Sequence, residues 1–175
     1  MYNSTEGLFK DLKRVDKERK DIMTKVVYNT SQMLGAIADT IHKINPEMVW
    51  VDTRHSESGV IGRRAIERLT ADQKRILKKQ FYNISLGPAQ MIPSEYGLKV
   101  YNLYSDKDHV TKSWANKREP GVEYNVKLLK CNSSWHERTL FFVDHRFMGP
   151  TYQEGLDVEF RTVRDTKGFY NGNTR

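Results

Sequence analysis

Met48-Val49-Trp50-Val51-Asp52-Thr53-Arg54-His55-Ser56-Glu57-Ser58-Gly59-Val60 is the stretch that decides the fold. An apolar run stops at a small polar cluster, and a helical pattern follows at once. The run is short and rich in β-branched and aromatic residues, which reads as a buried strand over 48–53. A strand that turns this sharply into a helix lifts the side chain at the turn above the sheet. Ser56 is therefore the first candidate nucleophile, with the backbone N–H of Glu57 beside it as a donor to a reacting oxygen.

Upstream, residues 8–43 follow a helical period, with Ile22, Val26, Met33, Ile37 and Ile41 near one stripe expected to be buried. Gly35 is a weak point in that helix, and Asn45-Pro46 ends it, because a residue before proline is pushed out of the helical region. Downstream, 60–69 reads as a helix with Ile61, Ala65, Ile66 and Leu69 inward and Arg63, Arg64, Glu67 and Arg68 outward. A second helix over 71–79 follows Thr70, a credible N-cap. Strands are expected at 80–86, closed by Gly87-Pro88, then at 98–104, 124–130 and 139–143. Residues 93–96 read as a connecting helical turn, and the segment beyond Phe160 shows no periodicity.

Strands separated by helices or long crossovers predict an α/β fold, a mostly parallel sheet of four to five strands with helices on both faces. In such sheets the chemistry gathers at the carboxyl ends of the strands. Those ends carry His55-Ser56-Glu57-Ser58, Gly87-Pro88, Asp106-Lys107-Asp108-His109 and Asp144-His145.

With 175 residues, 38% of them hydrophobic, the chain suits one core rather than two. The expected organisation is a charged helical extension over 1–20, one domain over 21–160 and a flexible tail over 161–175. Lys and Arg outnumber Asp and Glu by 29 to 22, a net charge of +7 that favours anionic partners. Acidic residues interrupt the densest basic region, 10–25, at nearly every turn, so a nucleic-acid partner is not expected. Cys131 is the single cysteine, which rules out an intramolecular disulfide and a multi-cysteine metal site. Residues 1–20 lack the apolar core of a secretory signal, and no apolar run reaches the roughly 20 residues of a membrane span. A cytoplasmic location is expected, with export that needs no cleaved signal left open.

The chain order Ser56, Asp108, His145 resembles that of the α/β-hydrolase family, lipases and esterases included. Three fragments are similar to it as well. Ser85-Leu86-Gly87-Pro88-Ala89 resembles the strand end after the nucleophile helix. Tyr104-Ser105-Asp106-Lys107-Asp108-His109-Val110 resembles the family's Gly-x-x-Asp-x-x-Val segment, with Tyr in place of Gly. Asp144-His145-Arg146-Phe147-Met148-Gly149-Pro150-Thr151-Tyr152 resembles the loop that brings in the catalytic histidine. His-Ser-Glu followed by Asp-His and Pro-Thr-Tyr is also similar to a family of uncharacterised chlamydial proteins with a hydrolase-like core. The similarity runs over 24–156 and matches the carboxyl-terminal half of a complete hydrolase.

The resemblance implies serine ester hydrolysis with Ser56 as nucleophile, His145 as base and Asp108 as acid, with Glu57 and Gly87 at the oxyanion or substrate position and no cofactor or metal. It departs from the family at Arg54 and Ser58, which stand where the elbow has small residues two before and two after the serine, with Gly59 one place late. Arg54 requires a relaxed turn or an outward path. The loop that supplies a second oxyanion donor is absent from the matched half.

Each residue has an ordinary alternative. Ser56 can be a helix N-cap, Asp108 a loop brace with Asp106 as rival acid, and His145 a structural histidine with His136 and His109 as rival bases. His55 adjoins Ser56, so its ring is expected to point away from the hydroxyl. His55, His136, His145, Asp108 and Asp144 are the candidate metal ligands, without H-x-x-x-H or H-E-x-x-H spacing. Two functions lead: a hydrolase acting on a small ester, and a non-catalytic scaffold binding a protein partner; a third, basic nucleic-acid binding, predicts steeply salt-dependent affinity for DNA or RNA. The strand bearing Ser56 is expected at a sheet edge, to be covered by the long helix, by a second copy in a homodimer or by a partner protein.

Overall fold

The computed structural model of the chain describes residues 13, 15–17, 20, 24–114, 118–132 and 149–167. In chain order they form α1 (Lys25–Ile44), β1 (Trp50–His55), α2 (Glu57–Glu67), α3 (Ala71–Gln80), β2 (Phe81–Leu86), a 3-10 turn (Ser94–Tyr96), β3 (Lys99–Ser105), α4 (His109–Trp114), β4 (Val126–Leu129) and α5 (Pro150–Lys167). The four strands pair in the order β1-β2-β3-β4, all parallel. The expected α/β class and parallel sheet are thus present, while the strand expected over 139–143 lies outside the described residues.

Alternation along each strand divides the core between two faces. On one face Trp50, Phe81 and Val100 pack with Leu34 and Ala38 of α1, Ala65 and Ile66 of α2, and Leu77 of α3. On the other, Val51, Ile84, Leu86, Tyr101, Leu103 and Leu129 pack with Tyr152 and Leu156 of α5. All six residues of β2 are buried, as expected of a strand covered on both faces. The first face also holds polar residues. Asn102 is fully buried, and its side-chain amide donates to the Ile92 carbonyl and accepts from the Ile92 N–H, each at 2.9 Å. This pins the loop after β2 to β3, and that loop backs the turn at Ser56.

The long N-terminal helix is not continuous. Thr24 is extended, and its hydroxyl accepts from the Val27 N–H at 3.2 Å, so α1 starts afresh at Lys25 after the helical residues 15–17. The expected apolar stripe is also not the buried one. Val27, Thr30, Ser31, Leu34, Gly35 and Ala38 face the core, whereas Val26 and Met33 are 41% and 42% exposed. Small residues win this face because α1 lies close against α2 and α3. A Cβ on Gly35 would sit 2.7 Å from Nε2 of Gln73, so Gly35 marks close packing rather than a weak point.

Two further expectations change. Arg63 is 5% exposed rather than outward: its guanidinium meets Glu67 at 2.9 Å, Glu119 at 2.6 Å, the Tyr124 hydroxyl at 3.1 Å and the Met91 carbonyl at 3.3 Å. It ties α2 to the segment that leads into β4. Residues 161–167, expected in a flexible tail, continue α5, and Val163 within them is fully buried. Thr70 caps α3 as expected, with Gln73 completing a capping box.

Leu34→Ala is expected to cost about 2–5 kcal/mol, as burial of a leucine demands, and Met33→Ala to stay within about 0.5 kcal/mol. Urea unfolding of the two variants checks this; the reverse order would return the core to the other stripe.

Candidate active site

The carboxyl edge of the sheet is where the sequence-derived candidates gather. Ser56 follows β1 directly and keeps its N–H on the Leu86 carbonyl at 3.1 Å, continuing the parallel ladder by one residue. Its backbone then breaks away at φ 53° and ψ −121°. Among the described residues it is the one non-glycine residue with positive φ. An L-residue held in such a region costs of order 1–3 kcal/mol and persists only where its surroundings over-determine it.

Those surroundings are visible. The Ser56 carbonyl accepts from the N–H of Gly59 at 3.1 Å and of Ala89 at 3.0 Å. The Ser58 hydroxyl lies 2.6 Å from both the N–H and the carbonyl of His55 and bridges the turn. Gly59 takes the close approach that the elbow pattern puts one place earlier: a Cβ there would lie 2.9 Å from Cβ of Pro88 and 3.2 Å from the Gln90 carbonyl. Ser56 stands at the N-cap position of α2, yet its side chain makes no capping hydrogen bond, and its φ and ψ are not the extended values of a capping residue. The N-cap alternative therefore fails on geometry. The Glu57 N–H occupies the first turn of α2, at the positive end of the helix dipole.

Gly87 has a different task from the one expected. Its N–H donates to the Leu103 carbonyl at 2.8 Å, and its φ of 49° makes the turn after β2. It contributes backbone shape rather than a hydrogen-bond donor for an oxyanion.

Asp108 follows β3 and is buried at the head of α4. Its carboxylate accepts from the Thr111 N–H at 3.0 Å, the Thr111 hydroxyl at 2.8 Å and the Tyr152 hydroxyl. The bracing role is thus real. These bonds orient the Asp108 carboxylate at the end of β3. The rival Asp106 accepts from the Cys131 N–H at 2.9 Å and braces the end of β4.

Tyr152 is the site residue whose part sequence reasoning missed. Fully buried at the start of α5, it touches Asp108 with its hydroxyl while its ring stands edge-on to His55, centroids 6.0 Å apart. One side chain thereby links the ends of β1 and β3. Burial, and after it the Asp108 charge, raises the Tyr152 pKa, so the phenol remains a donor. Its only sequence signal is its place in the Pro150-Thr151-Tyr152 fragment.

His145, Asp144 and His136 lie outside the described residues; His109 is the first residue of α4. Among the described residues no three His, Cys, Asp or Glu side chains form a group able to hold a metal ion, and no helix is long and apolar enough to cross a membrane. A groove of about 380 Å³ lined by Ser94, Lys99, Glu123 and Val126 lies at the amino ends of β3 and β4, away from Ser56. No protein-family model, curated protein or solved structure matches this chain.

Two measurements follow from this geometry. Ser56→Gly is expected to be more stable than the wild type by about 1 kcal/mol, since glycine enters the positive-φ region freely; at an ordinary N-cap the same change costs a few tenths of a kcal/mol. Tyr152 contributes stability that is fully present below its ordinary value of about 10 and is lost as pH rises above it. Tyr152→Phe should flatten that alkaline slope, and an unchanged slope would show that Tyr152 is not the group whose burial sets it.

Proposed function

We propose that this chain is an esterase-like serine hydrolase acting on a small ester. Ser56 is the nucleophile, His145 the general base and Asp108 the acid that orients it. The Glu57 N–H is one donor to the developing oxyanion. The observation that carries the reading is the backbone of Ser56, strained at a strand-to-helix turn where nothing in its capping chemistry accounts for the strain.

The sheet order supports it. β1 and β3 are separated by β2, so their ends stand roughly 10 Å apart at ordinary strand spacing. An imidazole bonded through both nitrogens spans roughly 8 Å, so a single ring can bridge groups carried on those two ends. In the proposed reaction the base takes the Ser56 proton as Oγ attacks the acyl carbon. The alcohol leaves with that proton, and a water molecule, deprotonated by the same base, releases the acid and restores Ser56. No cofactor enters.

The scaffold reading retains one specific observation. Among the described residues β1 pairs with a strand on one side only, which leaves an edge for a protein partner or a second copy.

A fluorophosphonate probe should label the protein, and Ser56→Ala should abolish labelling. Asp108→Asn and His145→Ala should each reduce hydrolysis of p-nitrophenyl acetate by about 1000-fold or more. Equal labelling of wild type and Ser56→Ala would remove the hydrolase reading and leave the scaffold.

A further inference from the structure

Arg54 stands two residues before Ser56, where a turn of this kind ordinarily has a small side chain. Rather than pointing outward, it is buried beneath the turn. Its guanidinium pairs with Asp52 at 2.5 Å and approaches the Ser58 carbonyl at 3.4 Å. Gly62, one turn into α2, provides the room: a Cβ there would lie 2.5 Å from Nε and 2.6 Å from Cδ and Cζ of Arg54.

The pair ends a polar row that crosses the sheet. Asp52 faces Asn83 and Arg54 faces Ser85 in the β1–β2 register. The Ser85 hydroxyl donates to Oδ1 of Asn83 at 2.8 Å, and Nδ2 of Asn83 reaches Asp52 at 3.4 Å. Burial raises the Asp52 pKa, and Arg54 only partly offsets this. Nε of Arg54 is itself buried with no hydrogen-bond partner among the described residues. Apolar residues of similar volume usually make such a layer no less stable, so stability alone does not explain it. An unsatisfied buried donor calls for another reason.

We propose that Arg54 is a positioning residue for Ser56: anchored by Asp52 and seated in the space left by Gly62, it holds the first turn of α2 from below and keeps the Ser56 backbone in its strained conformation. The catalytic consequence rests on the serine-hydrolase reading; the structural one does not. Ser56, Ser58 and Gly59 belong to a single turn, and Arg54 is the charged group that bridges it to the strand below.

Three variants of the full chain test this: Arg54→Met, the double variant Asp52→Asn with Arg54→Met, and Gly62→Ala, which displaces the guanidinium without deleting it. Amide hydrogen exchange at 56–59 should accelerate about tenfold in all three, while exchange in α3 stays at the wild-type rate. With p-nitrophenyl acetate, kcat should fall about 10- to 100-fold with KM nearly unchanged. The double variant leaves no unpaired buried carboxylate and should recover the thermal midpoint, yet keep the low kcat and fast exchange. Wild-type exchange at 56–59 in Arg54→Met and in the double variant would overturn the proposal, as would a double variant whose kcat recovers with its stability. A wild-type protein that fluorophosphonate does not label refutes the hydrolase reading instead, and the exchange data still decide whether Arg54 holds the turn.

Discussion

The arrangement depends on one backbone constraint: the parallel strand β1 must become the helix α2 within a single residue. Ser56 keeps the ladder bond to Leu86 and still lets Glu57 begin α2, which forces positive φ on a residue with a Cβ. A loop of several residues would avoid the strain but would let the serine move. The tight turn fixes it above the carboxyl edge of the sheet, held by Gly59 and Ala89 through its carbonyl and by Ser58 across its neck.

Both faces of the sheet serve that edge. On the face of α2, charged and polar residues lie where a parallel sheet ordinarily carries Val, Ile and Leu. Asp52, Arg54, Asn83 and Ser85 form a connected row there, next to the apolar cluster of Phe81, Ala65 and Leu77. On the face of α5, Tyr152 fills the core with its ring and offers its hydroxyl to Asp108. The ends of β1 and β3 are thus braced from opposite sides, one by an ion pair and one by an aromatic ring. Arg63 adds a third tie, from α2 to the segment before β4, through two carboxylates and a phenol. A buried arginine with this many partners fixes relative position more than it adds stability.

Much of this was legible residue by residue. The run at 48–53 reads as a buried strand because its apolar, β-branched content stops at a polar cluster; the strand is there but lies at Trp50–His55, with Met48 exposed and only Arg54 buried, since among the described residues β1 is paired on one side. The Thr70 cap is announced by Gln73 three places on. The candidate serine and the candidate acid are visible because each follows a strand. The buried face of α1 was not legible, because hydrophobicity favours Val26 and Met33 while helix contact favours Thr30, Ser31, Gly35 and Ala38. Close packing of helices rewards small residues, and no hydropathy pattern marks them as interior. Arg63 and Arg54 were hidden for a related reason: an arginine on a helix or strand reads as solvent-facing unless its carboxylate partners are known to converge. Glu119 is 56 residues from Arg63.

The sequence by itself determined the class of fold, the alternation of strands and helices, and the turn at Ser56, because these rest on local periodicity and on the chemistry of neighbouring residues. Tertiary structure alone decided which side of α1 is interior, that Gly62 makes space for Arg54, that Gly87 spends its N–H on Leu103, and that Tyr152 joins His55 to Asp108. Each of these is a meeting of side chains or backbone groups from separate elements. Distance between elements is set by packing the whole chain at once, and no local pattern encodes it.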